Sequence, residues 1–275
     1  MKSVSITIIF SCLFSVMSMS LYGQKRESMN AITRLTQVLG LVKKAPVNMT
    51  LRIESRADIN TDPADNYSVN GGVYLRHNAA YVNIGETEQL LNDSLAVMIN
   101  NETKQIVLAE SNGNMAATQL QGLLAAGQGN TTTQALNDIY TAVSDNDGVI
   151  MTSRAKLSGT DLPRESVRLK INPQSGLPEQ LVMVKRKIVV LDSAQMVQLR
   201  DDHAIATERF KRTEDAYYLV KEITISVSYE SINRQEGPLP VVIGERLRKE
   251  TGGEWQPVSA YADYRVTDQT NPKNF

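Results

Sequence analysis

Hydrophobic positions along the chain change their spacing several times, and each change predicts an element. Ile32, Leu35, Val38, Leu39 and Val42 recur at helical spacing until Pro46 stops the pattern, so one amphipathic helix opens the mature protein. "VNMTLRIESRADI" then alternates, with Met49, Leu51 and Ile53 against Thr50, Arg52 and Glu54, as a half-buried strand does. "NTDPADN" is a loop by its Pro, Asp and Asn content. Residues 71–111 follow as four short strands joined by polar turns. In them Val73 and Leu75, then Ala80, Val82 and Ile84, then Leu95, Val97 and Ile99 recur at period two. Such a meander needs one covered face and tolerates a wet one.

From Asn114 to Asp145 the spacing is helical again. Met115, Leu120, Leu123 and Leu124 share one stripe, and Leu136, Ile139, Tyr140 and Val143 share a second, with Thr131 or Thr132 as a cap and "GQGN" between them. This predicts a helical pair inserted between two runs of strands, with glycines suited to a moving cover. Strands resume with "GVIMTSRAKL", "ESVRLKINP", "EQLVMVKRKIVVLD", "QMVQLRDDHAIATERFKR" and "AYYLVKEITISVSYE", with "NPQSGLP" and "RTEDA" as turns. In the last strand Leu219, Ile223, Ile225, Val227 and Tyr229 face away from Glu222, Thr224, Ser226 and Ser228. A final hairpin turns at Gly252 and Gly253. About eleven or twelve strands exceed an ordinary open sheet and predict strong curvature. The expected class is mainly β within α+β: a strongly curved antiparallel sheet, an N-terminal helix and an inserted helical pair.

Lys2, the apolar run "VSITIIFSCLFSVMSMSLYG" and the polar "QKRES" make the order of a secretory signal peptide. A cut after Gly23 leaves residues 24–275 as one domain; a cut after Ser20 and an uncleaved anchor are the alternatives. Cys12, the one cysteine, lies inside that run, so the mature chain holds no disulfide and no thiolate metal site, and lipid attachment at Cys12 is an open option. A net charge of −1 advertises neither nucleic acid nor an anionic membrane as partner. With aromatic residues at 5%, the core is expected to be aliphatic.

Candidate chemistry is sparse. His77 and His203 stand far apart, and "DDH" at 201–203 reads as a solvated turn more readily than as a metal site. Phosphate-binding glycine motifs and the serine-nucleophile turn do not occur. The pairs Glu86/Glu88 and Glu214/Asp215 sit in hydrophilic stretches, where an exposed carboxylate pair is expected. In "VKRKIVV", Lys185 and Lys187 share one face of a strand, while Arg186 lies with Val184 and Ile188, needs a carboxylate or carbonyl partner there, and is a candidate for the interior ligand cavity. Asp93-Ser94-Leu95 and Asp192-Ser193-Ala194 resemble the acceptor motif of periplasmic O-glycosylation in Bacteroidota, and the "YGQ" leader ending is similar to that lineage's.

The order of elements resembles the periplasmic outer-membrane lipoprotein carrier family, the LolA-like superfamily, over about Met29 to Leu199. Gly72-Val73-Tyr74-Leu75-Arg76-His77-Asn78-Ala79-Ala80-Tyr81 stands in the first half of that family's characteristic segment, and "LLNDSLAVMINNETKQI" in the second. His77 replaces the family's proline, Ser94 its glycine, and Asn100-Asn101 its aromatic turn. The resemblance implies a half-open barrel around an apolar cavity. It also implies that Arg76 bonds lid backbone, with Met115, Leu120, Leu123, Leu124, Leu136, Ile139 and Tyr140 toward the cavity. An exposed Arg76 and ordinary core packing of the apolar residues are the alternatives.

Together these readings predict a non-enzymatic periplasmic carrier or sensor. Its expected ligand is an acyl chain or lipoprotein, and no cofactor, metal or nucleic acid is expected. The alternative is a structural or interaction subunit of a cell-envelope assembly, with Trp255, Tyr261 and Tyr264 in the unmatched extension facing a protein partner.

Overall fold

The computed structural model describes residues 26–42, 44–59, 62–111, 130–202, 209–212, 216–234 and 236–270. The chain is mainly β. Helix α1 (Arg26–Leu41) leads, followed by β1 (Val47–Ala57), β2 (Tyr67–Leu75), β3 (Ala80–Ile84), β4 (Thr87–Leu91), β5 (Leu95–Asn100) and β6 (Gln105–Glu110). Helix α2 (Asn130–Ile139), β7 (Tyr140–Ser144), β8 (Gly148–Ser153), β9 (Glu165–Ile171) and β10 (Pro178–Leu191) come next. Helix α3 (Ser193–Asp202), β11 (Phe210–Arg212), β12 (Tyr217–Asn233), β13 (Leu247–Lys249), β14 (Trp255–Pro257) and β15 (Arg265–Asp268) complete the described elements.

One sheet of 13 strands runs in the order β15-β6-β5-β4-β3-β2-β1-β12-β10-β9-β8-β7, with β11 beside β12; β13 and β14 form a separate hairpin. Its end strands, β15 and β7, do not pair with each other, so the sheet stays open. All pairings in it are antiparallel except that of β15 with β6. Strand β12 is central: it pairs with β1 along one side, from Asn48↔Asn233 to Ala57↔Ile223, and with β10 along the other. Thus the chain beyond Leu199 is not simply an appendage, because β12 joins the two halves of the sheet.

The inner face carries two aliphatic clusters that share Val167, Val227 and Tyr229, and α1 covers the second. Met49, Leu51 and Ile53 meet Val73, Val82 and Ile225. Ala31, Ile32, Leu35 and Val38 of α1, with Leu136 of α2, pack on Val149, Met151, Leu169 and Leu181. Each such side chain contributes about 1.5–3 kcal/mol when fully buried. Ser28 ties the layer together: its Oγ donates to Asn137 Oδ1 at 2.9 Å and accepts from the Ala142 N–H at 3.1 Å, satisfying a backbone donor of end strand β7. Gly148 is required by close approach, since a Cβ there would lie 1.9 Å from the Leu169 carbonyl oxygen.

Several expectations change. The meander has two apolar faces rather than one. Tyr74, Tyr81, Leu90, Val97, Ile99, Ile106 and Leu108 point outward, where Leu247 and the half-buried Leu239, Val241, Trp255, Tyr261 and Tyr264 pack against them. Strict alternation marks a polar face only when nothing else covers it, and a later part of the chain does. Helix α2 ends at Ile139, so Tyr140 and Val143 belong to β7 instead of a helical stripe. "QMVQLRDD" is helix α3, where Met196 and Leu199 pack on Ile59, Leu191 and Leu219. Straight-chain Gln, Met, Leu and Arg favour helix there. Strands number 15 among the described residues, because β4 separates within the meander, β7 forms where a helical stripe is expected, and β15 follows the final hairpin.

The leader, residues 112–129 with the first expected lid helix, His203, and Glu214 with Asp215 lie outside the described residues. No helix among the described residues is long and apolar enough to cross a membrane.

Candidate functional site

Strands β10 and β12 are the longest in the sheet and continue beyond their neighbours. Strand β9 stops pairing with β10 at Glu165↔Lys185, and β1 stops pairing with β12 at Ala57↔Ile223. Past these points the two long strands run on together through Arg186↔Glu222, Ile188↔Val220 and Val190↔Tyr218 on the outer face. Period-two alternation therefore gives this overhang an ion pair followed by two apolar pairs. The inner face of the overhang is covered by α3, but Val190 on the outer face is 61% exposed.

The loop between β8 and β9 forms the facing wall. It is self-braced: Leu157 N–H donates to Leu162 O at 2.9 Å, Thr160 N–H to Leu157 O at 3.0 Å, and Lys156 Nζ to Asp161 O at 2.7 Å. Gly159 takes φ 73°, which favours glycine. Arg186 fixes this wall to the sheet. Its Nε meets Glu222 Oε1 at 2.6 Å and its Nη1 donates to Pro163 O at 3.0 Å. The arginine among aliphatics thus has both a carboxylate and a carbonyl.

Arg209 closes the other side. Its Nε and Nη2 donate to Val220 O at 3.0 and 2.6 Å, and Nη2 also meets Asp58 Oδ2. Asp58 Oδ1 in turn accepts the Glu222 N–H at 3.0 Å. Between the walls lies a cavity of about 570 Å³, lined by Leu162, Ile188, Phe210, Tyr218 and Val220, with Ser158, Thr160 and Asp161 on the loop wall and Arg209 on the other. That size falls within the range of about 300–1,000 Å³ usual for small-ligand pockets. Thr160 Oγ1 is committed to Leu157 O at 3.0 Å and to the Leu162 N–H at 3.2 Å, so it is occupied in bracing the turn.

A second polar cluster is buried on the outer face of the meander. Glu88, 7% exposed, accepts from Tyr81 Oη at 3.2 Å, Asn101 Nδ2 at 3.1 Å, and Arg246 Nε and Nη2 at 3.1 and 3.0 Å; Tyr261 Oη lies 3.4 Å away. This corrects the solvated-pair expectation for Glu86 and Glu88, because the C-terminal segment brings an arginine over Glu88. Burial, then the Glu88 charge, pushes the Tyr81 phenol up to about 12. Burial works against the Arg246 cation, but the hydrogen bond and charge of Glu88 hold its pKa above the ordinary value.

The structure distributes the sequence-derived candidates rather than gathering them. Arg76 donates from Nε to Gly237 O at 2.5 Å, from Nη2 to Pro238 O at 3.3 Å, and from Nη1 to Asn48 Oδ1 and Leu75 O at 2.9 and 2.8 Å. Its backbone partners belong to β1, through Val47 O at 3.5 Å, to β2 and to the segment after β12. Leu136 and Tyr140 are buried in the core with α1, and Ile139 packs beside them. The Tyr140 hydroxyl donates to Glu165 Oε1, and burial, then that bond, raises its pKa above the usual tyrosine value. Met115, Leu120, Leu123 and Leu124 lie outside the described residues. Among the described candidates, Arg186 holds the loop wall of the outer cleft through Pro163 O, on the outer face rather than in the expected interior. Sequence reasoning missed Lys221, which is fully buried on the inner face with Nζ 2.5 Å from Asp65 Oδ2. The signal was its position, since it shares parity with Leu219 and Ile223.

No protein-family model matches the sequence, and comparison with curated proteins finds no match. Among solved structures, a domain from Vibrio parahaemolyticus, provisionally named an outer membrane lipoprotein-sorting protein, is 6% identical, overlapping 78% of this chain and 95% of its own at a TM-score of 0.27. A LolA superfamily protein from Nitrosomonas europaea is 8% identical over 78% of this chain and 96% of its own, at a TM-score of 0.25. A DUF1329 family protein from Desulfovibrio piger is 10% identical over 78% and 95%, at 0.29. These likenesses concern fold alone.

Proposed function

We propose that this chain is a non-enzymatic periplasmic carrier or sensor that binds an apolar chain, of the kind carried by a lipid or a lipoprotein. The observation behind this is the outer cleft, with its apolar floor of Ile188, Val220 and Tyr218, braced loop wall and volume of about 570 Å³. Burial of a chain there contributes about 0.8 kcal/mol per methylene, so binding needs no catalytic group. The secretory leader at residues 1–23 supports a periplasmic location.

A fluorescent acyl probe tests this directly. The wild-type protein is expected to take up the probe, and Ile188→Glu, which puts a charge on the cleft floor at a part-exposed position, is expected to lose uptake while keeping the same circular dichroism. No uptake by the wild type, or equal uptake by the variant, overturns it. A role as an interaction subunit of a cell-envelope assembly is favoured by the C-terminal segment's half-buried Trp255, Tyr261 and Tyr264 on the outer face, and predicts copurifying protein with no probe uptake.

A further inference from the structure

We infer that the edge of β10 from Lys187 to Val190 is a strand-addition site for an extended polypeptide segment in which apolar and acidic residues alternate. The sheet leaves this edge open where β9 ends. Arg186 donates its N–H to Arg164 O at 3.0 Å, just past the last β9 pair at Glu165↔Lys185. Backbone groups alternate in direction along a strand, so the N–H and C=O of Ile188 and Val190 point the same way as those of Arg186. Among the described residues, no hydrogen bond reaches them on that side. The β8–β9 loop does not take the place of β9. Its N–H groups at Leu157, Thr160 and Arg164 bond to Leu162, Leu157 and Ala155, so it closes on itself and leaves the cleft between it and Ile188.

An edge with unmet donors and acceptors is a template for another strand. At the end strand β7 the fold supplies a cap, since Ser28 Oγ takes the Ala142 N–H. Polypeptide backbone repeats donor and acceptor at the spacing that Ile188 and Val190 present, whereas an acyl chain offers neither; the inference therefore does not rest on acyl-chain binding. Side chains select the sequence. On the outer face Ile188 and Val190 are exposed, so partner residues on that face are apolar. The intervening position on the inner face is Lys187, which is half exposed and shares Asp65 with Lys221 as the more distant of the two. A carboxylate opposite Lys187 makes a cross-strand pair of opposite charge.

The probe is a heptapeptide of alternating valine and glutamate with blocked ends, added to the mature protein while amide exchange of Ile188 and Val190 is followed by NMR. Both amides are expected to exchange at least about tenfold more slowly with peptide present. In an antiparallel pairing, the residue opposite Ile188 shares its face and turns its own N–H toward β10. N-methylation of the valine nitrogens is therefore expected to abolish the protection, and N-methylation of the glutamate nitrogens to preserve it. Lys187→Glu is expected to reverse the preference, toward a peptide of alternating valine and lysine. Absence of protection by the unmethylated peptide overturns the inference, as does equal protection by all three forms. Protection that rises with protein concentration without peptide, with a doubled mass in light scattering, assigns the edge to a second copy instead and likewise overturns it. Failure of acyl-probe uptake tests the cleft alone and leaves the edge standing.

Discussion

Arg246 lies over Glu88 with two of its nitrogens, Nε and Nη2, at 3.1 and 3.0 Å from the same carboxylate oxygen, although the two residues stand 158 positions apart. Strand β4 supplies the anion, and the stretch before β13 supplies the cation. Their pairing makes the C-terminal segment part of the fold, since Leu239, Val241, Leu247 and Trp255 pack on the same outer face. Glu88→Ala leaves Arg246 unpaired at 16% side-chain exposure and removes the acceptor of Tyr81. Urea unfolding is expected to show a loss of about 3 kcal/mol. The solvent-exposed pair Arg248–Glu250, broken by Glu250→Ala, is expected to change stability by less than about 1 kcal/mol.

Asp65 pairs with Lys221, whose side chain is fully buried between Leu219 and Ile223 of β12. Lys187 reaches the same carboxylate from β10 at 3.4 Å, and Ser55 Oγ donates to the Asp65 carbonyl at 2.7 Å. Asp65→Asn takes away the ionised partner and is expected to cost about 3 kcal/mol. Adding Lys221→Met to Asp65→Asn is expected to recover most of that loss, because an unbranched apolar side chain fills the same volume without a charge to compensate. Chemical denaturation of the single and double variants checks both outcomes. A double variant no more stable than Asp65→Asn contradicts the account.

Alkaline pH is expected to weaken the fold through its buried tyrosines, Tyr229 and Tyr81 among them. Burial pushes Tyr229 up to about 12, and burial with the Glu88 charge does the same for Tyr81. A raised phenol pKa means that the folded protein keeps its proton where the unfolded chain has lost it. The contribution is therefore whole below about pH 10 and is lost as pH rises from about 10 to about 12. Unfolding free energies measured across this window are expected to fall with pH, and Tyr81→Phe to lower the slope by about one proton. An unfolding free energy that stays flat from about pH 10 to 12, or an unchanged slope in Tyr81→Phe, contradicts the prediction.

Arg76 joins the end of β2 to the carbonyls of Gly237 and Pro238. Arg76→Ala removes several donors at once and is expected to raise amide exchange across residues 236–249, while β8 and β9, which pack under α1, keep their protection. Arg76→Lys is expected to restore little, because a single ammonium on a flexible stem does not reproduce the planar fork that reaches separate oxygens. Hydrogen exchange read by mass spectrometry distinguishes the variants.

Candidate residues differ in how far their surroundings were readable. Arg186 was legible, since its place among Val184 and Ile188 on a strand demands a polar partner, and Glu222 stands directly opposite it on β12. For Arg76 the resemblance implies bonds to a lid, whereas its bonds to the carbonyls of residues 237 and 238, some 160 positions later, were not legible in the sequence. Glu88 was misjudged because neighbouring Glu86, Thr87 and Gln89 make its stretch polar, and burial there depends on Arg246. Lys221 breaks an otherwise apolar face, and only the position of Asp65 explains why that is tolerated.

Local periodicity alone determined that the chain is mainly β, that an amphipathic helix leads it, and that strand runs flank a helical interruption, because side-chain alternation and helical spacing are properties of adjacent residues. Tertiary structure decided that β12 sits between β1 and β10, that the meander buries both faces, that "QMVQLRDD" is helical, and that an apolar cleft opens beside Ile188 and Val220. The physical reason is common to all four. A strand pattern says which residues share a face, but what covers that face is supplied by segments far away in the chain.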